Sequence, residues 1–169
     1  MISQNLEIAQ VGNPILRQQA QYVTDITDEK LQQLIDTLLT TAIDAKGVGI
    51  AAPQVSQSYR LFIVCSHPNS RYPDAPSMEP TVMINPCLVS HSEEMVKGWE
   101  GCLSVPGVRG LVSRYQKITV EYLDRYGKLH QQEFTDFVAR IFQHELDHLN
   151  GILFIDRVNN SEDLVYNNS

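Results

Sequence analysis

The chain reads as an α+β protein whose strands are grouped together rather than alternating with helices. Two segments, 27–47 and 135–151, repeat apolar residues at the i, i+3, i+4, i+7 spacing of amphipathic helices. Between them lie several short runs rich in branched and aromatic residues, two of which flank Arg125-Tyr126-Gly127 as the arms of a hairpin. The regular strand–helix order of a parallel α/β sheet is missing.

Size and charge narrow the function. A length of 169 residues suits one domain over 1–169 with one core. The net charge of −7 argues against a general nucleic-acid or anionic-membrane binder, which carries a basic patch. No apolar run is long enough for a bilayer. The opening "MISQNLEIAQVGNPIL" has no basic stretch followed by an apolar one, so no secretory signal is expected. Three cysteines without such a signal fit a reducing cytosol.

In chain order, "TDEKLQQLIDTLLTTAIDAKG" places Leu31, Leu34, Ile35, Leu38, Leu39, Ala42 and Ile43 on one stripe. Thr27 or Asp28 can cap its start, and Gly47 follows its end. "GVGIAAPQ" (47–54) is too short and glycine-rich for a regular element. Strands are expected at 59–65, 81–85 and 94–101, and at "KITVEYLD" and "KLHQQEFT" around the hairpin. Residues 66–80 hold four prolines and read as a surface loop. The second helix starts near Thr135 or Asp136, ends at Asn150–Gly151, and turns Val138, Ile141, Phe142, Leu146 and Leu149 inward. The tail "VNNSEDLVYNNS" reads as polar and weakly structured.

Chemistry concentrates in "QHELDHLNG" (143–151). His144 and His148 stand four apart, so a helix puts both imidazoles on one face, and Glu145 between them can reach a water on a shared metal ion. A catalytic site of this kind needs a third protein ligand and an open position. Cys102 in "WEGCLSVPG" is the best candidate, because a thiolate at the end of a strand suits a metal. Cys65 and Cys87 lie in apolar runs and read as core thiols, and His67, His91 and His130 read as solvated surface residues. Asp147 projects about a hundred degrees from His148 and reads as half of an ion pair, with Arg114 as partner. Glu100 is a candidate acceptor for a ligand histidine's N–H. Such a centre can attack a carbonyl or a phosphoryl group, and the residues alone do not choose between them.

"GVGIAAPQ" (47–54), "EGCLSVPG" (100–107) and "QHELDH" (143–148) together resemble the three motifs of the peptide deformylases, in the same order. The preceding helix and "VGNPILR" extend the resemblance over roughly 8–157. It implies an α+β fold with mostly antiparallel sheets around a central metal-binding helix. It also implies removal of the formyl group from N-terminal formyl-methionine of new polypeptides. Carried over by position, Cys102, His144 and His148 are the metal ligands and Glu145 moves the proton. The Gln54 side-chain amide and the Leu103 N–H would stabilise the oxyanion. Val48, Gly49 and Gly101 would pair with the substrate main chain, and Arg109 would lie near the substrate groove.

The mixed sulfur and nitrogen ligands suggest zinc. The resemblance implies Fe(2+) in the active form, with Zn(2+) or Ni(2+) able to occupy the site. Expected partners are nascent formyl-methionyl chains and, transiently, the ribosome, without membrane or direct nucleic-acid binding. Some family members dock on the ribosome with a basic C-terminal helix. This tail has Glu162 and Asp163 and no basic residue after Arg157, so it offers little to rRNA phosphates. The expected location is the cytoplasm, or an organelle after processing. The competing reading is a zinc endopeptidase, whose usual third ligand is a carboxylate or histidine downstream of the pair. A non-catalytic binding module on the same fold is a third.

Overall fold

One short strand sets the layering of the molecule. In the computed structural model, which describes residues 6–167, Leu61–Val64 (β2) is buried at every position. Side chains of a strand alternate between faces, so Phe62 and Val64 join one core cluster while Leu61 and Ile63 join another. The first cluster takes in Ile141, Phe142 and Leu149 of helix α2 (Asp136–Leu149). The second takes in Leu31, Ile35 and Leu38 of helix α1 (Glu29–Asp44). A run apolar on both faces needs a helix on each side, and the sheet has one on each.

That sheet has five strands in the order β1-β2-β3-β6-β7, all antiparallel. Here β1 is Gly49–Ala51, β3 is Thr81–His91, β6 is Lys117–Leu123 and β7 is Leu129–Thr135. A second antiparallel sheet, β4-β5-β8, joins Met95–Cys102, Val105–Tyr115 and Leu164–Tyr166. It lies on the other side of α2, so this helix runs between two sheets.

Local chemistry sets the helix ends. The Asp28 side chain accepts the Lys30 N–H at 2.9 Å and caps α1. Helix α2 stops in a Schellman turn: Ile152 N–H donates to the Asp147 carbonyl at 2.9 Å and Gly151 N–H to that of His148 at 3.2 Å. Gly151 sits at φ +75°, and a β-carbon there would lie 2.6 Å from the Arg17 carbonyl oxygen. Arg60 adds donors to the Leu149 carbonyl (3.1 Å) and Asn150 Oδ1 (3.0 Å).

Several expectations are corrected. The stretch 47–54 is not irregular: it holds β1 and enters a 3-10 turn at Ala52–Val55, because β2 supplies the pairing that so short a run cannot announce. Strand β3 continues past residue 85 to His91 through a bulge at Asn85, whose side chain bonds Val23 N–H (2.9 Å) and carbonyl (3.0 Å). Residues 105–115, unassigned from the pattern, form the long partner of β4. The tail gains order as β8 by pairing with β5. Ile43 is exposed rather than on the buried stripe, and Cys87 is an exposed thiol rather than a core one. His130 is half-buried and bonds Asp124 at 2.8 Å. Residues 1–5 and 168–169 lie outside the described residues, so the start of the segment read for a leader and the end of the tail lie there too. No described helix is long and apolar enough to cross a membrane.

Candidate active site

Helix α2 places His144 and His148 one turn apart, with ring centroids separated by 5.2 Å. Cys102 ends β4, and its Sγ lies 3.3 Å from His148 Nε2. One donor atom from each of the three lies within 4.8 Å of the others. A thiolate and two imidazoles at that spacing are a donor set for one cation with a position left open, so these residues could hold a metal ion. Burial alone would raise the Cys102 pKa. The adjacent His148 and His144 outweigh it and hold the thiol well below its ordinary value, which favours the ligating thiolate. Burial would lower His144, but its bonds with Cys102 and Glu100 hold it well above the usual histidine value. A cation taken up here displaces that proton.

Behind His144 stands an ion network. Glu100 Oε1 lies 2.8 Å from His144 Nδ1, the contact that fixes a ligand ring's orientation. Arg114 donates to both Glu100 oxygens, at 2.8 and 2.9 Å, and Arg140 donates to Oε2 at 2.8 Å. Burial opposes the Glu100 carboxylate, yet Arg114 and His144 hold its pKa well below the carboxylate range. Arg114 also reaches Asp147 Oδ2 at 2.7 Å, the expected pair, and Arg157 binds the same carboxylate. Arg140 further donates to the Val112 (2.8 Å) and Val96 (2.6 Å) carbonyls, tying the histidine helix to the strands that lead to Cys102. It has room because residue 98 is glycine: a β-carbon there would lie 2.7 Å from the Arg140 Cζ. The sequence reading missed Arg140, although an arginine four before His144 on a largely buried helix was its signal.

Glu145 is 3% exposed, and its Oε1 is buried with no hydrogen-bond partner among the described residues. Burial pushes its carboxyl up to about 7, against the pull of His144 and His148. Gly49 leaves it space, since a β-carbon there would lie 2.6 Å from Glu145 Oε2. Gln54 is held rigidly. Its Oε1 accepts the Ala51 N–H at 2.9 Å, and its Nε2 donates to Ser104 Oγ at 3.1 Å and faces Cys102 Sγ at 3.6 Å. Leu103 lies in the turn between β4 and β5, its carbonyl bonded by Gln10 Nε2 at 3.3 Å.

These groups line a cleft that Val48, Gly49, Gly101 and Leu103 line as well. Strand β1 is one edge of its sheet and β4 one edge of the other, so the cleft is flanked by two strand edges. The proline-rich loop enters it through Asn69, Arg71 and Tyr72. The Gly101 N–H, expected to face substrate, donates to Tyr72 Oη at 3.1 Å. Arg109 lines an adjoining outer cavity instead of the inner cleft.

Comparison with known proteins gives one answer. The sequence profile of the polypeptide deformylases matches residues 5–163. The chain is similar to peptide deformylase 2 of Nostoc sp., 69% identical over 153 residues that cover 90% of this chain and 86% of that one. It is similar to peptide deformylase 2 of Shewanella oneidensis, 53% identical over 152 residues, 90% and 83% of the two chains. Among solved structures it resembles the Met-Ala-Ser-bound class I type b peptide deformylase from Acinetobacter baumannii, with TM-score 0.90 and 48% identity over 93% of this chain and 100% of that one.

Proposed function

The chain belongs to the peptide deformylase family, and from that premise we propose how it removes the formyl group from the N-terminal formyl-methionine of newly made polypeptides and releases formate. Residues 1–169 act as one catalytic unit. Cys102, His144 and His148 hold one divalent ion, Fe(2+) in the active form, with Zn(2+) or Ni(2+) able to take its place. Such an ion supplies Lewis acidity toward the formyl oxygen and a more acidic water.

Glu145 takes the proton from the attacking water and hands it to the leaving amine, general base and then general acid on one carboxylate. Its burial and its pKa near 7 support that role. The Gln54 amide and the Leu103 N–H donate to the oxyanion. The extended substrate lies between the β1 and β4 edges, against Val48, Gly49 and Gly101, with Arg109 farther out. Pairing with the Gly101 N–H requires Tyr72 Oη to give it up. The enzyme works in the cytoplasm, or in an organelle after processing. It touches the ribosome transiently and needs neither membrane nor nucleic acid.

The observation that carries this reading is Cys102, His144 and His148 gathered within 4.8 Å beside the buried Glu145. The Acinetobacter relative was solved with Met-Ala-Ser bound, so formyl-Met-Ala-Ser is the substrate to offer, beside acetyl-Met-Ala-Ser and an unblocked protein. Formate alone is expected; acetate or internal fragments would overturn the reading. The metal is tested separately. Protein loaded anaerobically with Fe(2+) should turn over much faster than the zinc form, and air should inactivate it by oxidising ion and thiolate. Equal turnover at matched occupancy would remove iron and leave the deformylase assignment standing.

A further inference from the structure

The chain carries 13 basic and 20 acidic residues, so a cation without a partner is unexpected in it. Six of the eight arginines are bound: Arg17 to Asp156, Arg60 to the end of α2, Arg125 to Asp36, Arg140 to Glu100, and Arg114 and Arg157 to Asp147. Among the described residues the side chains of Arg71 and Arg109 form no ion pair and no hydrogen bond. The Arg109 Nε is buried with nothing to donate to, and its guanidinium lies over the Tyr72 ring at 5.3 Å.

Both arginines belong to the outer cavity that adjoins the catalytic cleft. Both also reach over the same bare stretch of backbone: a β-carbon at Gly101 would lie 3.6 Å from Arg71 Nη1 and 3.9 Å from Arg109 Cγ. Lys46, which also forms no ion pair among the described residues, lines the inner cleft. The acidic groups of the inner cleft are deep, and Glu100 is already held by Arg114 and Arg140. Among the described residues that line the outer cavity, Asp74 is the sole carboxylate, and it forms no ion pair with these arginines.

A strand advances about 3.3 Å per residue. A peptide with its formyl carbon beside Cys102 and its methionine in the inner cleft therefore carries its second and third residues past Gly101 into the outer cavity. We propose that this rim is a carboxylate subsite: Arg71 and Arg109 receive an aspartate or glutamate side chain at the second or third residue of the nascent chain. The proposal rests on the deformylase reading of the cleft and adds a charge preference to it. Acidic early residues are favoured, their neutral isosteres less so, and lysine least because the rim repels it.

The test uses metal-loaded full-length enzyme and C-terminally amidated formyl tripeptides, so that no terminal carboxylate contributes. Formyl-Met-Asp-Ala and formyl-Met-Ala-Asp are compared with their Asn and Lys counterparts. At least one Asp peptide should exceed its Asn isostere in kcat/KM by about fivefold, the reach of an ion pair at a partly exposed rim. The advantage should shrink with added salt. It should fall to parity in the Arg71→Met/Arg109→Met double variant, read as the Asp-to-Asn ratio so that a general loss of activity cancels. An Asp-to-Asn ratio within about twofold at both positions in the wild-type enzyme overturns the proposal. So does an acid preference that survives in the double variant. Formate from the Asn peptides with no acid preference rejects the subsite alone; formate from none rejects the deformylase reading as well.

Discussion

Helices α1 and α2 are similar in length and amphipathicity, yet they do opposite work. Helix α1 buries one stripe, Leu31, Ile35, Leu38, Thr41 and Ala42, flanks it with the half-buried Leu34 and Leu39, and turns its opposite face to solvent. Helix α2 is buried nearly all round, and what it buries includes Arg140, Gln143, Glu145, Asp147 and His148. A helix enclosed on every side is usually apolar on every side. Here the enclosing strands supply charges instead, because Glu100 and Arg114 on β4 and β5 meet Arg140, His144 and Asp147 on the helix. The contrast separates a helix that holds the fold by area from one that holds a site by pairing.

Substitutions can break or sharpen that contrast, and the largest effect should fall on the catalytic face of α2. Glu145→Ala should keep its metal by elemental analysis while turnover falls on the order of a hundred- to ten-thousandfold. Retention of a tenth of the activity would remove Glu145 as the proton carrier. Arg140→Met strips one guanidinium from a buried network and should cost about 4 kcal/mol in stability. Because Glu100 then holds His144 less firmly, metal affinity should fall about tenfold or more. A competition titration with a chromogenic chelator reads this directly, and an unchanged affinity would reduce Arg140 to a purely structural tie.

Helix α1 should respond only as scaffold. Leu38→Ala, at a fully buried position, should lose about 3 kcal/mol in denaturant unfolding. The folded fraction should keep its metal and its turnover; a change in kcat would show that α1 reaches the site. The smallest effect belongs to the cap. Asp28→Ala removes the acceptor for the Lys30 N–H and should cost about 1 kcal/mol, with activity untouched. A loss of several kcal/mol would mean that the start of α1 carries tertiary load.

Legibility followed the same division. Helix α1 was readable from periodicity and its caps, with Ile43 the exception, since the stripe is narrower at its last turn than the pattern suggests. Strands β2, β4, β6 and β7 were readable from apolar runs and the hairpin at Arg125–Gly127, whose Asp124 N–H and Lys128 carbonyl close at 2.9 Å. Strands β1, β5 and β8 were not, because three residues, or eleven interrupted by Pro106, Gly107 and Gly110, have no period of their own. Glu100 was legible, from its place two before Cys102, as an acceptor for one of the ligand histidines, and the structure chooses His144; Arg140 and Tyr72 entered the site unannounced.

By itself the sequence determined what lies within a turn or two of chain. It set the i, i+4 placement of His144 and His148, the glutamate between them, the stop at Asn150–Gly151 and the three motifs that mark the family. These depend on backbone dihedrals and short hydrogen bonds, which neighbouring residues control. Tertiary structure alone decided that Cys102 Sγ comes 3.3 Å from an imidazole 46 residues away. It also decided that the Gly101 N–H is taken by Tyr72 and that Arg71 and Arg109, without an ion pair among the described residues, reach over Gly101. Partner choice across such separations is settled by which sheet edges and helix faces pack together, and no local pattern in the chain records that.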